Sequence, residues 1–124
     1  MTGAGWWCQL WRYPSFRTWP TAEFCRLHQN HTLGISFVVI PGMIAQMCGI
    51  TLLWQQADAP VAVKILHVGL GLASIGPTLA VSGPIHGRLA KGKSDQLIEK
   101  LIRTNLPRTL VWSAQCVASL FLLG

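Results

Sequence analysis

The chain has 124 residues, enough for one compact unit; 51% are hydrophobic and only 11% charged. A soluble domain uses about 25% charged residues to solvate its surface, so the composition argues against a water-soluble globule and for a single integral membrane domain. A formal charge of +6 would fit nucleic acid if spread over a polar surface, but the basic residues flank apolar runs, which excludes nucleic acid and makes the lipid bilayer the expected partner.

In chain order, residues 1–31 are rich in tryptophan and arginine, are interrupted by Pro14 and Pro20, and read as an interfacial segment. The opening MTGAGWWCQLW has no basic stretch ahead of an apolar core, so no signal peptide is expected. No formally charged residue occurs from Thr32 to Ala57. The stretch 32–54 exceeds the ~20 residues a helix needs to cross a bilayer, and Trp54 stands where interfacial tryptophans belong. After the turn QQADAP, Pro60 suits the entry to a second helix. A second span is predicted over 61–83, with Lys64 able to snorkel. Its glycines permit close helix approach, and Pro77 is tolerable inside a bundle.

The charged segment HGRLAKGKSDQLIEKLIRTNLPR follows. Ser94 is an expected N-cap with Asp95 in the first turn. Leu97, Ile98, Leu101 and Ile102 share one face, which predicts a short amphipathic helix over 94–104 lying at the interface. Pro107 then marks the start or a kink of the last helix, a third span over 108–124. From Thr109 this run would be only roughly 24 Å long, so it spans if the bilayer thins, if Arg108 snorkels or if the chain continues.

Basic residues set the expected orientation. Arg12, Arg17 and Arg26 precede the first span, six more lie between Arg88 and Arg108, and the QQADAP turn has none. The N-terminus and the 88–108 loop are therefore expected in the cytoplasm, with the QQADAP turn outside. The four cysteines show no metal or disulfide spacing, and Cys48 and Cys116 read as small packing residues.

Each predicted span has a polar stripe. His28, His31, Gly42, Gln46 and Gly49 fall within roughly 60° on the first helix. Lys64, His67, Gly71, Ser74, Thr78 and Ser82 fall within roughly 80° on the second, and Asn105, Arg108, Thr109, Trp112, Cys116 and Ser119 within roughly 100° on the third. Lipid tails cannot hydrogen-bond, so the stripes should face one another, either as glue between helices or as the lining of a site. Arg108 either snorkels to headgroup phosphates or turns inward. Inward, it needs acceptors: carbonyls freed near Pro84, the Asn105 side chain, a neutral His86 or a ligand. Four histidines admit a haem or metal binder, yet no metal-ligand spacing or cofactor motif is present, so no cofactor is assigned. Triads and phosphate loops are absent as well.

The block PIHGRLAKGKS (Pro84–Ser94) followed by LIRTNLPRTLVW (Leu101–Trp112) resembles a family of small uncharacterised bacterial multi-pass membrane proteins. The segment from Phe24 to His31 and Pro41–Met43 are similar to the same family. More distantly, the arrangement resembles the anthrone-oxygenase-like four-helix membrane proteins. The resemblance spans about Tyr13 to Gln115 and implies an all-α transmembrane bundle. Its motif positions fall on His28, His31, Pro41, Pro84, His86, Asn105, Arg108 and Trp112. Leu106-Pro107 replaces the family's Trp-Ile, a change at the helix start. Only a short segment precedes Tyr13, so either the first helix is lost or the start lies too far downstream. The architecture expected is three spans or a four-helix bundle lacking its first helix; the resemblance implies a bacterial inner membrane. The family supplies no established activity. Three readings follow: a membrane component whose polar interior only joins helices; an anthrone-oxygenase-like enzyme using His28, His31, His86, Asn105 and Arg108 on a lipid-soluble aromatic molecule; and a haem or metal binder. A homo-oligomer is compatible with all three.

Overall fold

The computed structural model describes residues 1–120, which are helical apart from short connections at 19–23, 56–60 and 90–94, with no strand among the described residues. Helix α1 (Thr2–Trp7) runs through a π-helical turn, Cys8–Arg12, into the short α2 (Tyr13–Ser15) and a single 3-10 turn, Phe16–Thr18. Helix α3 spans Phe24–Gln55. Helix α4 (Val61–Pro77) continues through a second π-helical turn, Thr78–Ser82, into α5 (Gly83–Leu89), and α6 covers Asp95–Leu120. Two helices are long and apolar enough to cross a membrane: α3 and the continuous stretch Val61–Leu89. The expected third run, 108–124, ends outside the described residues.

The two π turns share a cause. Pro14 and Pro84 have no N–H to donate, so the carbonyl four residues before each lacks its usual helical partner. Just before each proline the chain takes in an extra residue: Tyr13 N–H reaches Cys8 O, and Gly83 N–H reaches Thr78 O, each five residues back. Such turns re-aim the side chains within them and recur at functional sites.

Several boundaries differ from the sequence expectation. His28 and His31 belong to α3, which begins at Phe24 rather than at residue 32. The segment 94–104 and the last run form one helix, α6, which passes through Pro107. The proline leaves only the carbonyl of Arg103 unbonded, and Arg103 is exposed. Ser94 does cap this helix, its Oγ accepting from Leu97 N–H at 3.4 Å.

The apolar face of 94–104 also lies against protein rather than along an interface. Ile98 and Leu101 are fully buried with Phe16, Phe24, Ile85 and Leu89 in one core. Each such burial contributes roughly 1.5–3 kcal/mol relative to exposure to water. Above this core, α1 lies against α6. A Cβ on Gly5 would stand 2.9 Å from Thr109 Oγ1 and 3.2 Å from Trp112, so this contact requires glycine. Trp6 Nε1 donates to Ser113 Oγ, and Thr2 Oγ1 to the Trp112 carbonyl. Residues 1–31 are thus partly built into the helix packing. Large apolar side chains cover the outside instead, among them Phe37 and Leu72, which are 75% and 67% exposed.

Candidate functional site

The polar stripes converge as expected, with two exceptions. Gly49 and Cys116 are exposed, and Gln115 takes the inward place on α6. Cys48 is exposed too, so neither it nor Cys116 is a core packing residue; a helix face is set to within one residue, and both fall just outside it. At the end of the bundle near the QQADAP turn, Gln46 donates to Ser74 Oγ at 2.9 Å and to Gln115 Oε1. His67 bonds the Val63 carbonyl and Ser119 Oγ there, well apart from the other histidines. Lys64 donates to the carbonyls of Trp54 and Gln56, closing the C-terminal end of α3.

The other five candidates meet at the opposite end. Asn105 is fully buried. Its Nδ2 donates to Gln9 Oε1 at 2.8 Å, to Thr109 Oγ1 at 3.2 Å and to the Gly5 carbonyl at 3.4 Å, and its Oδ1 accepts from Arg108 Nη2. Arg108 turns inward and is only 6% exposed. Its Nη1 donates to Ser82 Oγ at 2.7 Å and Thr78 Oγ1 at 3.3 Å, both hydroxyls belonging to the second π turn. The guanidinium also lies 5.1 Å from the Trp112 ring. Its Nε is buried and without a partner among the described residues.

His28, His31 and His86 gather beside this group, with ring centroids 5.2 to 6.4 Å apart. His28 Nε2 and His86 Nδ1 share a hydrogen bond of 3.0 Å, and His86 Nε2 lies 3.4 Å from the Tyr13 hydroxyl. Arg12 Nε donates to His31 Nδ1 at 3.2 Å, so the His31 proton sits on Nε2. Arg12 is held in turn against Trp19, 4.7 Å from the ring, and against Trp7. Burial pushes the Tyr13 phenol and the Cys8 thiol up, so both stay protonated at neutral pH.

Among the described residues no group of three or more His, Cys, Asp or Glu is arranged to hold a metal ion. Both ring nitrogens of His86, His28 Nε2 and His31 Nδ1 are engaged with each other, with Tyr13 and with Arg12, while His28 Nδ1 and His31 Nε2 are buried without a partner among the described residues. The haem or metal reading therefore gains nothing from the cluster.

Tyr13, His86, Asn105 and Arg108 form one wall of a cavity of about 280 Å³. Helix α3 lines it with the apolar Ile35, Val39 and Met43 and with Thr32 and Ser36, whose hydroxyls donate to the carbonyls of Gln29 and Thr32 on their own helix. Ile40 and Leu79 line it as well and are also exposed outside, so the cavity opens toward the apolar outer face between α3 and the second π turn. His28 stands behind His86 and His31 to one side, neither lining this cavity. Sequence reasoning missed Tyr13, Gly5 and Gln9. The signal for Tyr13 was present: it is the only tyrosine, and a proline follows it.

No protein-family model, curated protein or solved structure matches the chain.

Proposed function

We propose that this chain is a multi-pass membrane protein that binds a lipid-soluble small molecule in the cavity beside Arg108. The N-terminus and the 88–108 loop face the cytoplasm, and α6 is the third span. The membrane part of the reading is supported by the outward-facing apolar helices: none of the 18 residues in the most apolar stretch of α3 is buried. An apolar surface of that extent in water is an aggregation hazard, whereas in lipid it is a solvated face. One observation carries the binding part. A cavity open to an apolar exterior has apolar side chains on one wall and convergent polar groups on the other, the composition expected of small-molecule sites.

The test uses the protein in lipid nanodiscs and a panel of small brominated aromatics, whose bromine quenches tryptophan fluorescence. Trp112 lines the cavity, so at least one compound should quench saturably above the linear background from the lipid. Ile35→Phe with Val39→Phe, which fills the cavity, should abolish the saturable part. If no compound quenches saturably, or the filled variant quenches equally, the reading fails.

A second reading, an enzyme of the anthrone-oxygenase type, is favoured by the bonded chain from His28 through His86 to the Tyr13 hydroxyl in the cavity wall. In it His86 and Tyr13 move protons at a bound aromatic molecule while His28, His31, Asn105 and Arg108 hold the constellation. Loss of an added anthrone in loaded nanodiscs, abolished by His86→Gln, is the expected signature. A wild-type rate equal to that of empty nanodiscs rejects it.

A further inference from the structure

The cavity wall contains a charge without a counter-charge. The chain has four carboxylate side chains: Glu23, Asp58, Asp95 and Glu99. None lines the cavity. Glu23 and Glu99 pair with Arg26 and Arg17 on the surface. Arg108 cannot shed its proton, and its three bonded acceptors, Ser82, Thr78 and Asn105, are all neutral. Neutral oxygens orient a guanidinium but do not cancel its charge, and buried charges are ordinarily paired. The unpartnered Nε adds a free donor on the same 6%-exposed side chain. The Tyr13 hydroxyl and His86 stand on the same wall.

We propose that the cavity takes the anion of a small lipid-soluble organic acid, its acidic oxygen paired with Arg108 and its apolar body against Ile35, Val39 and Met43. The inference rests on the cavity being the ligand site and names the class of ligand that site selects. The single cation calls for a monoanion. Carboxylate and phenolate supply the same chemistry, an anionic oxygen on an apolar frame. A volume of about 280 Å³ holds a small molecule rather than a long-chain lipid, since pockets for drug-sized ligands run from roughly 300 to 1,000 Å³.

The experiment compares two pairs of quenchers in nanodiscs: para-bromobenzoate with its methyl ester, and para-bromophenol with para-bromoanisole. Each pair keeps the ring and bromine and removes the acidic proton. The acid of at least one pair should bind ten-fold or more tightly than its neutral partner. A preference in the benzoate pair identifies carboxylate, and a preference in the phenol pair identifies phenolate when it strengthens as pH rises through the phenol's titration. In Arg108→Gln the preference should vanish. Because Arg108 also joins helices, that variant can fail to fold, so Met43→Glu serves as the second. A carboxylate on the facing wall supplies the missing counter-charge, so acid binding should fall at least ten-fold while ester or ether binding persists. Neutral compounds binding as tightly as their acids, or acid binding undiminished in Met43→Glu, would overturn the proposal and leave the cavity reading standing. Saturable quenching by none of the four would remove this inference and, with the wider panel also silent, the cavity reading.

Discussion

A guanidinium keeps its charge wherever it is placed, so an inward Arg108 makes its partners matter more than a snorkelling one would. Its two terminal nitrogens divide between Asn105 on its own helix and the hydroxyls of Thr78 and Ser82 across the interface. Lysine has the charge but not the fork, and cannot reach both sides at once. Arg108→Lys should therefore destabilise the detergent-purified protein by roughly 1–3 kcal/mol, the cost of leaving buried acceptors unsatisfied. Asn105→Ala removes the shared oxygen and should cost a similar amount, with the double variant less than additive by roughly 0.5 kcal/mol or more. Strict additivity in thermal unfolding would show that the two do not act as a unit. Helical spacing alone placed Asn105, Arg108, Thr109 and Trp112 on one face and Thr78 and Ser82 on another. It did not show that His86 would bond His28 and Tyr13 rather than Arg108, because that depends on how far each helix is rotated. Cys8 offers a second check at this scale. The thiolate is the reactive form, and burial holds the thiol protonated. Maleimide should modify exposed Cys25 in the folded protein and Cys8 only after unfolding; prompt labelling of Cys8 would contradict its buried position.

The elements that position these residues were less legible than the residues. Pro14 reads as an interruption and the second span is expected to end at residue 83, before Pro84, yet each proline is absorbed by a π turn and the helix continues. The turns deliver Cys8 and Tyr13 to the site from one side and Thr78, Ser82 and His86 from the other. Local sequence could not distinguish a broken helix from a re-registered one, since both begin with the same missing N–H. The charged face of 94–104 likewise suggested a surface helix, whereas its apolar face is covered by Phe16 and Phe24, contributed by segments distant in sequence. Helix α1 is too short to be stable alone and depends on its seat against α6. That seat is Gly5, where any side chain meets Thr109 and Trp112. Gly5→Val should thus destabilise by roughly 1–3 kcal/mol through overpacking. Gly3→Val, with nothing within 4 Å of an added Cβ, should differ from wild type by no more than about 0.5 kcal/mol. Equal shifts in melting temperature at the two positions would mean that α1 does not pack on α6 through Gly5.

For the molecule as a whole, the distribution of charge separates two ends. The site end carries Arg12, Arg17, Lys93 and Glu99, with Lys93 Nζ donating to the carbonyls of Arg17 and Trp19 and Arg17 bonded to Glu99 at 2.6 Å. The far end, between α3 and α4, carries the QQADAP turn, whose sole charge is Asp58. A bilayer tells these ends apart because Lys and Arg near a span resist translocation, while acidic residues contribute little. The all-helical character was legible in the uncharged runs. The third span expected over 108–124 falls at the end of one continuous helix, α6, that mixes Asp95, Glu99, Lys100, Arg103 and Arg108 with apolar residues, and among the described residues only α3 and the Val61–Leu89 stretch are long and apolar enough to cross a membrane. Only packing shows which of these charges turns inward. The orientation has its own test, independent of any ligand. With the native cysteines replaced, Asp58→Cys should react with a membrane-impermeant thiol reagent added to intact cells. Lys91→Cys, between α5 and α6, should react only after the cells are opened. The proposed orientation would put the polar wall and Arg108 in the cytoplasmic half of the bilayer, with access from the lipid between α3 and the second π turn. The reverse labelling pattern would put Arg108 in the outer half and would require ligands to arrive from the opposite leaflet. Labelling of both sites in intact cells would contradict a fixed transmembrane orientation and, with it, the membrane-spanning reading of α3 and the Val61–Leu89 stretch.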